Sequence, residues 1–376
     1  MPKLNSFAAI RAPRALAALV STRTYKSYSK KELNEKLATN KFSFLHVIKP
    51  QAKSKKEQFA SIRKSFEHFL ENRNFIKDEN TNLYIYEQKS ANGKFTGVIG
   101  LASIEDYDKG KILKHENTIK KREALFSNYL KNIGFHAEPI LLARERNTAW
   151  EQAMYETMKT RPEADFATAD GVFHKIWIPS KENIRIIIKA SEAIDKFYVA
   201  DGHHRLSSSA LVGESNGVLA MVISNEQLKI APFYRLVKGP CVNNLDWAHE
   251  LEAKRLNKSP NSLPKTGIYA LDDRGWWHIK KDDLSFPESK WLCENVLSPF
   301  WNIIDERNDP RIRYIAGNRS PKEIKGKRKK NEVLFISCSP SWNQIQEASD
   351  NATMLPPKST YIEPKLRSGM ILFSWK

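Results

Sequence analysis

The stretch FYVADGHHRLSSSAL, residues 197–211, predicts a β-strand that ends in a tight turn and continues directly into a helix. The apolar run at 197–200 fits a buried strand, Asp201-Gly202 fits a turn, and the small residues after Arg205 fit a helix. A turn chosen for shape alone needs only the Asp-Gly pair. The two histidines and the arginine that follow therefore favour a functional site at this strand-to-helix junction.

The turn carries groups that a bound phosphate needs. Backbone N–H groups at a helix start attract anions, and Gly202 lets the backbone approach a ligand closely. Arg205 could bind phosphate oxygens with two parallel hydrogen bonds, and His203 and His204 could donate further hydrogen bonds to them. Asp201 could hold Mg²⁺ or accept a proton from a hydroxyl group. The alternative is that Asp201 only caps the helix. As part of an exposed cleft, the turn is expected to add little to stability.

Two other stretches combine charge with imidazole or hydroxyl groups. ILKHENTIKKRE, residues 112–123, places His115 and Glu116 between a strand-like run and a helix, where an exposed helix start is the alternative. MLPPKSTYIEPKLRSGM, residues 354–370, is stiffened by prolines and lacks the GxxxxGK[ST] pattern of a P-loop, and a plain basic surface loop is the alternative. Its candidate phosphate-binding residues are Lys358, Ser359, Thr360, Lys365 and Arg367.

Strand-like runs alternate with helical segments along the rest of the chain. Strands are predicted for runs that include FSFLHVI (42–48), NLYIYEQ (82–88) and EVLFISCS (332–339). Helices are predicted at 147–160, 181–194, 244–257 and 290–304. This alternation indicates an α/β or α+β fold with a mixed sheet.

A Gly-Pro break at residues 238–244 suggests a domain boundary. It predicts a catalytic core at 1–240 and a C-terminal α/β region at 241–376, whose last segment, 354–370, returns to the site. The 376 residues are enough for two such domains.

The composition predicts a cytoplasmic globular protein. The hydrophobic content is 41%, and no apolar run approaches the ~20 residues of a membrane-spanning helix. Three dispersed cysteines suggest a reducing compartment and form no paired metal-binding motif. The first 31 residues lack acids, as a transit peptide does, and a first helix of the fold is the alternative. Its inward residues would be Ile10, Leu16, Leu19 and Val20.

The formal charge of +18 predicts affinity for anions such as nucleic acid, acidic lipid or phosphorylated metabolites. The densest block, KEIKGKRKK at 322–330, is interpreted as an exposed hairpin loop ahead of a strand. A nucleic-acid contact at this block is the alternative.

Several stretches together resemble a large bacterial family known as a domain of unknown function, whose members have been linked to free L-serine kinases. The ADGHHR turn is also similar to the phosphate-binding turn of the ParB/sulfiredoxin-like superfamily. That superfamily includes ADP- or ATP-dependent serine kinases, sulfiredoxin and the nucleotide-binding domain of partition proteins. The stretches are FSFLHVIKP, LYIYEQ, GVIGLASIEDYDKGKILKHENT, AEPILLAR, FYVADGHHRLSSSA, APFYRLV and LPPKSTYIEPKLRSGM.

The resemblance implies a ParB/sulfiredoxin-like core with a C-terminal α/β portion. It implies a kinase that passes a phosphoryl group from ATP, ADP or pyrophosphate, with Mg²⁺, to the hydroxyl of free L-serine. The catalytic residues would be Glu116, Asp201, His203, His204 and Arg205. The nucleotide would be bound by His115, Gly202, Lys358, Ser359, Thr360, Lys365 and Arg367. The substrate would be bound by Ser43, His46 and Arg235.

The chain departs from the family at Arg23-Thr24-Tyr25-Lys26, where members commonly read Pro-Pro-Tyr-Asp. A lysine thus replaces an acid that could serve the substrate or the metal. Two other functions stay open. One is a nucleotide-gated DNA-binding module in the manner of partition proteins, although the sequence has no recognisable helix-turn-helix. The other is a phosphatase or nucleotide hydrolase that uses the same turn with water as the acceptor.

Overall fold

The computed structural model of the protein describes residues 1–50, 54–215, 217–280, 288–306, 308–356 and 358–376. Their contacts form two compact units. The first unit comprises residues 1–114, 118–228 and 364–376, and the second comprises 115–117 and 229–363. The domain division predicted at residue 240 stays a prediction.

The strands and helices alternate along the described residues. The strands are β1 (Leu4–Asn5), β2 (Ile10–Arg11), β3 (Ile76–Lys77), β4 (Tyr84–Ser90), β5 (Gly93–Ser103), β6 (Ile112–Leu113), β7 (Phe135–His136), β8 (Ile140–Arg144), β9 (Ala164–Ala167), β10 (Phe173–Trp177), β11 (Phe197–Asp201), β12 (Gly217–Ser224), β13 (Lys229–Ala231), β14 (Phe233–Lys238), β15 (Lys254–Leu256), β16 (Ile268–Asp272), β17 (Gly275–Ile279), β18 (Ile312–Ala316), β19 (Glu332–Ile336), β20 (Tyr361–Glu363) and β21 (Ile371–Ser374). The helices are α1 (Ala17–Val20), α2 (Lys30–Thr39), α3 (Leu45–Ile48), α4 (Lys55–Glu71), α5 (Ile104–Asp108), α6 (Lys120–Ile133), α7 (Thr148–Met158), α8 (Lys181–Ser191), α9 (His203–Ala210), α10 (Trp247–Glu250), α11 (Glu288–Leu292), α12 (Ser298–Trp301), α13 (Pro321–Lys325) and α14 (Trp342–Asp350).

The first unit is built on a mixed sheet. Within the described residues its strands pair in the order β6-β11-β8-β12-β5-β4-β10-β9, and β1 also pairs with β5. β11 runs parallel to β6 and β12 parallel to β8, while the other pairs are antiparallel. Trp150 of α7, Ile187 of α8 and Leu206 of α9 share one buried core with the sheet. The predicted mixed α/β class is therefore confirmed.

A second sheet of the first unit contains the C-terminal strand. Its order is β3-β2-β21-β7, so β21 lies between strands from far earlier in the chain. This pairing draws residues 364–370 into the first unit, beside the turn that follows β11. Lys365, near the C-terminal end of the last predicted motif, therefore contacts Asp201 of the DGHHR turn.

The second unit contains a separate antiparallel sheet. Its strands pair in the order β15-β17-β16-β19-β14-β18, and β13 pairs with β20. Trp247, Trp301 and Phe335 lie in its buried core. Among the described residues of both units, no helix is long and apolar enough to cross a membrane.

Three local predictions are wrong. The run at 42–48 contains no strand, and its last four residues form the short helix α3. The helix predicted at 244–257 stops at Glu250, and β15 follows it because these residues pair with β17. The predicted N-terminal helix is reduced to α1, since Ile10 belongs to β2 and Leu19 is 41% exposed.

Candidate functional site

The DGHHR turn has the predicted strand-to-helix form. β11 ends at Asp201, Gly202 adopts a φ of 101°, and α9 begins at His203. A Cβ atom at Gly202 would lie 2.8 Å from Cγ2 of Ile140. Glycine is therefore required both by the left-handed backbone and by the close approach of β8.

Gly202→Ala is expected to destabilise the protein by about 2–4 kcal/mol, since it adds backbone strain to a steric clash. The matched control is Gly213→Ala, where φ is 73° and no atom lies within 4 Å of the added Cβ. The control should cost only the backbone strain, roughly 1–2 kcal/mol. Urea unfolding measures both variants. Equal losses would show that the contact with Ile140 is unimportant.

Asp201 is flanked by two cations. Arg205 Nη2 lies 2.8 Å from its Oδ2, and Lys365 Nζ bonds to its Oδ1. Burial alone would raise the pKa of Asp201, but the charges of Lys365 and Arg205 outweigh it, and the pKa falls well below its ordinary value. The Asp201 side chain is still 33% exposed. The turn thus presents an ionised carboxylate that solvent can reach.

Arg205 binds protein groups on the side facing β8. Its Nη1 donates to the carbonyl oxygen of Pro139 at 2.6 Å and lies 2.8 Å from Oε1 of Glu138. Its Nη2 is bound to Asp201. The guanidinium fork expected to bind phosphate is therefore directed at two carboxylates and a carbonyl. This arrangement suits a residue that positions Asp201.

Glu138 is a site residue that the sequence reasoning missed. Its Oε2 accepts hydrogen bonds from Thr24 Oγ1 at 2.9 Å and from Ser368 Oγ at 2.7 Å, while its Oε1 binds Arg205. One carboxylate thus joins three segments that are distant in sequence. The available signal was a carboxylate two residues ahead of the apolar run of β8.

Arg367 is held by a buried polar chain. Its side chain is 7% exposed, and its Nη2 lies 2.7 Å from Oδ2 of Asp170. Thr168 Oγ1 donates to Asp170 Oδ1 at 2.6 Å and lies 3.4 Å from Nε2 of His174. The hydroxyl of Tyr86 is 2.8 Å from Nδ1 of His174. These contacts anchor the C-terminal motif to the β9–β10 edge of the sheet.

His136 is a buried histidine that contacts Ser209 of α9. Its Nδ1 accepts the Leu219 N–H at 3.4 Å, and its Nε2 lies 3.0 Å from Ser209 Oγ, which donates to the Arg205 carbonyl oxygen at 2.7 Å. Burial, assisted by the charge of Arg205, lowers the pKa of His136 to about 3. The ring is therefore neutral in the folded protein.

Stability is expected to fall as the pH decreases from 7 to 5. Burial, assisted by the charge of Arg367, also lowers the pKa of His174 to about 3. Below pH ~6.5 the unfolded chain binds protons at His136 and His174 that the folded protein does not, so each should cost about 2 kcal/mol at pH 5. Urea unfolding at both pH values measures this loss.

Replacing either histidine by glutamine should flatten the pH dependence, whereas His68→Gln is the control. His68 is 69% exposed, so its replacement should not change the slope. A wild-type stability that is equal at pH 7 and pH 5 would contradict the neutral state of the two buried rings.

Four predicted residues of the first unit remain, His203, His204, Ser43 and His46, and the charge of His203 also contributes to the lowered pKa of Asp201. His203 is buried and His204 half-buried on the first turn of α9. Ser43 and His46 bond locally around α3: His46 Nε2 lies 3.1 Å from the Asn40 carbonyl oxygen, and Ser43 Oγ accepts from the N–H of residue 45. The substrate-binding roles of Ser43 and His46 stay predictions.

The second unit brings two predicted motifs together. His115 Nε2 lies 3.2 Å from Thr360 Oγ1, and Glu116 forms a parallel bridge with Leu355. Ser359 Oγ donates to the Pro356 carbonyl oxygen at 2.7 Å and lies 2.6 Å from the hydroxyl oxygen of Ser289. Lys358 Nζ lies 4.7 Å from the centre of the Phe233 ring. The second proline of the motif, residue 357, lies outside the described residues.

Arg235 lies inside the second unit. Its side chain is 1% exposed, and its Nε is 2.7 Å from Oε2 of Glu306, which also accepts a hydrogen bond from the Tyr314 hydroxyl. These contacts form a buried ion pair of the β14–β18 edge. Substrate binding by Arg235 stays a prediction.

The residues at Asp201 do not build a magnesium site on their own. Both of its carboxylate oxygens bind cationic side chains. Among the residues that the structure describes, no group of three or more histidine, cysteine, aspartate or glutamate side chains could hold a metal ion. Mg²⁺ commonly takes one or two carboxylates and fills its shell with water and phosphate oxygens. Binding of Mg²⁺ at Asp201 stays a prediction.

Several solved structures are similar to this chain. A mutant free serine kinase in complex with ADP has a TM-score of 0.43 at 13% identity, covering 72% of this chain and 92% of that chain. SbnI from Staphylococcus aureus with a C-terminal truncation has a TM-score of 0.41 at 15% identity, covering 70% and 82%. A conserved hypothetical protein from Pyrococcus furiosus has a TM-score of 0.40 at 14% identity, covering 71% and 93%.

Sequence comparison gives the family. No curated protein matches the chain. The family described as "Protein of unknown function (DUF1015)" matches residues 4–305, which is most of the chain. The DGHHR turn lies within the matched residues, whereas the PPKSTYIEPKLRSG motif lies beyond them, and the link of both motifs to the family stays a prediction. The chain belongs to the DUF1015 family.

Proposed function

We propose that this protein is a phosphotransferase that passes a phosphoryl group from a Mg-nucleotide to the hydroxyl of a small polar acceptor, with free L-serine as the expected acceptor. The observation that carries the proposal is the ionised Asp201 carboxylate, which Lys365 and Arg205 flank at the turn between β11 and α9. Phosphoryl transfer mainly needs positioning and charge neutralisation. The turn offers a positioned carboxylate with cations in direct contact.

Asp201 is the residue proposed to receive the acceptor hydroxyl. Its lowered pKa keeps the carboxylate ionised at neutral pH, so it can always accept a hydrogen bond from that hydroxyl. In a loose transition state the bond from phosphorus to the leaving nucleotide is largely broken before the hydroxyl loses its proton. A weak base that orients the hydroxyl is therefore sufficient. Asp201 takes the proton as the new P–O bond forms.

Lys365 is the cation proposed to bind the transferring phosphate. Its side chain is 42% exposed, whereas that of Arg205 is 22% exposed and faces Glu138. A lysine ammonium sits on a flexible stem and can turn from one oxygen to another, while a planar guanidinium with several partners cannot. Lys365 thus neutralises the phosphate, and Arg205 keeps Asp201 in place.

The choice of serine rests on the family resemblance. The departure from the family at Arg23-Thr24-Tyr25-Lys26 lies close to the proposed site, because Thr24 and Arg205 bind the same carboxylate, Glu138. Acceptors related to serine therefore belong in the test, including threonine, homoserine and glycerate.

The test is an assay of purified protein with L-serine and Mg-ATP, Mg-ADP or pyrophosphate, read by mass spectrometry of O-phosphoserine. The expected result is O-phosphoserine from at least one donor. No phosphorylated product from any donor and acceptor would contradict the phosphotransferase, and phosphate release without an acceptor would assign a hydrolase. Product with another acceptor but not serine would keep the reaction class and exclude serine.

A matched pair of lysine variants tests the part of Lys365. Lys365→Met should weaken nucleotide binding, because it removes the cation that faces the phosphate. The control is Lys94→Met, since Lys94 also pairs with a carboxylate, Glu87 at 2.8 Å, on an exposed part of the first unit. Equal nucleotide affinity of the two variants, measured by calorimetry, would exclude Lys365 from the phosphate site.

The alternative acceptor of the hydroxyl proton is Glu116. If Glu116 takes the proton in place of Asp201, Glu116→Gln should lower kcat about 10²- to 10⁴-fold with little change in nucleotide affinity, because a carboxamide cannot accept a proton. The control is Glu347→Gln, an exposed glutamate of α14. An unchanged kcat for Glu116→Gln would remove this residue from the chemistry.

A further inference from the structure

The densest cluster of positive charge lies between β18 and β19. Residues 319–331, called here the basic loop, contain seven lysines and arginines and a single carboxylate, that of Glu323. The sequence predicts an exposed hairpin loop, but the segment contains α13 and joins strands that lie on opposite sides of β14. The basic loop is therefore a crossover connection with its own helix.

The basic loop is anchored to the sheet by specific contacts. Arg328 Nη2 lies 2.7 Å from Oδ1 of Asp273, and the Asn331 N–H donates to Oδ2 of the same residue at 3.0 Å. The Lys329 N–H donates to Oε2 of Glu332 at 2.8 Å. Such contacts fix the backbone of the loop, so the charges on it have defined positions.

These contacts leave the lysine ammonium groups of the basic loop exposed to solvent, where an anion can reach them. In the described part of the chain, none of the five lysine ammonium groups lies within ion-pair distance of a carboxylate, although the charges of Lys330 and Lys329 act on Asp273 and Glu332 from farther away. Asp273 binds Arg328, Glu332 binds Arg313 at 2.8 Å, and Glu323 caps α13. The exposed lysines are Lys322, Lys325, Lys327, Lys329 and Lys330.

The basic loop offers charge without apolar or aromatic contacts. Its apolar residues, Pro321 and Ile324, are buried, and the segment contains no aromatic residue. Membrane-surface segments pair cations with exposed apolar side chains, and single-strand sites add aromatic rings on which bases stack. We infer that the basic loop binds the phosphate backbone of double-stranded nucleic acid without reading its sequence. This inference does not depend on the phosphotransferase activity.

The number of lysines sets the expected salt dependence. Each phosphate that a lysine neutralises releases counterions, so five contacts give a slope of log affinity against log salt of about −4.5. Affinity for duplex DNA should then fall about 500-fold between 50 and 200 mM salt. A strong salt dependence with equal affinity for unrelated sequences is the signature of backbone contacts.

The experiment measures the anisotropy of two labelled 25-base-pair duplexes of unrelated sequence over that salt range. The test variant changes all five lysines of the basic loop to glutamine. The control variant changes five exposed lysines of the first unit to glutamine: Lys30, Lys31, Lys64, Lys77 and Lys89. Circular dichroism checks that both variants fold. If the fivefold variant does not fold, the single variants Lys327→Gln and Lys330→Gln are measured in its place.

The expected result is that the test variant loses most of the salt dependence, whereas the control keeps it. Each single variant should reduce the slope by about one unit. The inference fails if the wild type does not bind duplex DNA at 50 mM salt, or if the test and control variants weaken binding equally. It also fails if vesicles of phosphatidylserine and phosphatidylcholine bind the basic loop while duplex DNA does not.

Discussion

Asp201→Asn is expected to lower kcat about 10²- to 10⁴-fold and to leave the affinity for nucleotide unchanged or slightly higher. The amide keeps the shape of the side chain but can neither take a proton nor carry the negative charge. The same loss of charge removes a group that repels phosphate, so nucleotide binding should not suffer. A fall in kcat without a rise in the nucleotide Kd separates a role in chemistry from a role in binding.

The stability of Asp201→Asn should fall by only about 1 kcal/mol, because its ion pairs are partly exposed. The control is Asp78→Asn, where the carboxylate lies 3.0 Å from Arg11 and accepts from the Tyr84 hydroxyl at 2.7 Å. This control should cost more stability and leave kcat intact. If Asp201→Asn retained kcat within about threefold, Asp201 would be only a helix-capping residue, the alternative that the sequence leaves open.

Arg205→Ala is expected to lower kcat about 10²-fold, because Asp201 would lose the cation that keeps it in place and a small misplacement of a reacting group can cost that much. It should also destabilise the protein by about 2–3 kcal/mol, since it leaves Glu138 and Asp201 without their shared cation. The sequence predicts an exposed turn whose replacement hardly changes stability. The contacts of Arg205 with Glu138 and Pro139 lead us to expect a larger loss of stability instead. Thermal unfolding and turnover of the same preparation measure both effects.

Two further variants separate positioning from direct binding of phosphate by Arg205. Arg205→Lys should recover little activity, because an ammonium cannot reach Asp201, Glu138 and a carbonyl oxygen at once. Adding Glu138→Gln to Arg205→Ala should recover part of the lost stability, because the uncompensated carboxylate is gone, but none of the activity. If Arg205→Ala stayed stable and active, the network around Glu138 would have no part in the function.

Local chemistry made the DGHHR turn predictable from sequence. A strand, a glycine and a helix start are encoded by neighbouring residues, and the structure has them at β11, Gly202 and α9. The capping box Ser29–Glu32 at the start of α2 was predictable for the same reason. Signals of this kind act over three or four residues, so the rest of the fold does not alter them.

Short apolar runs were less predictable. The run at 42–48 reads equally well as a strand or as part of a helix, and the structure forms α3 there. The helix predicted at 244–257 is interrupted because Glu252 has a φ of 49° and the next residues pair with β17. Strand pairing with a distant segment outweighed the local preference for a helix.

The sequence by itself determined the mixed α/β class, the family and the residues of the turn. Only the tertiary structure decided what those residues contact. Asp201 and Lys365 are 164 positions apart, and they meet because β21 pairs between β2 and β7 and draws residues 364–370 of the last motif into the first unit. Glu138 joins Arg205 to Thr24 and Ser368 for the same reason. Sheet pairing between remote strands leaves no periodic pattern in the chain, so the ion-pair network required coordinates.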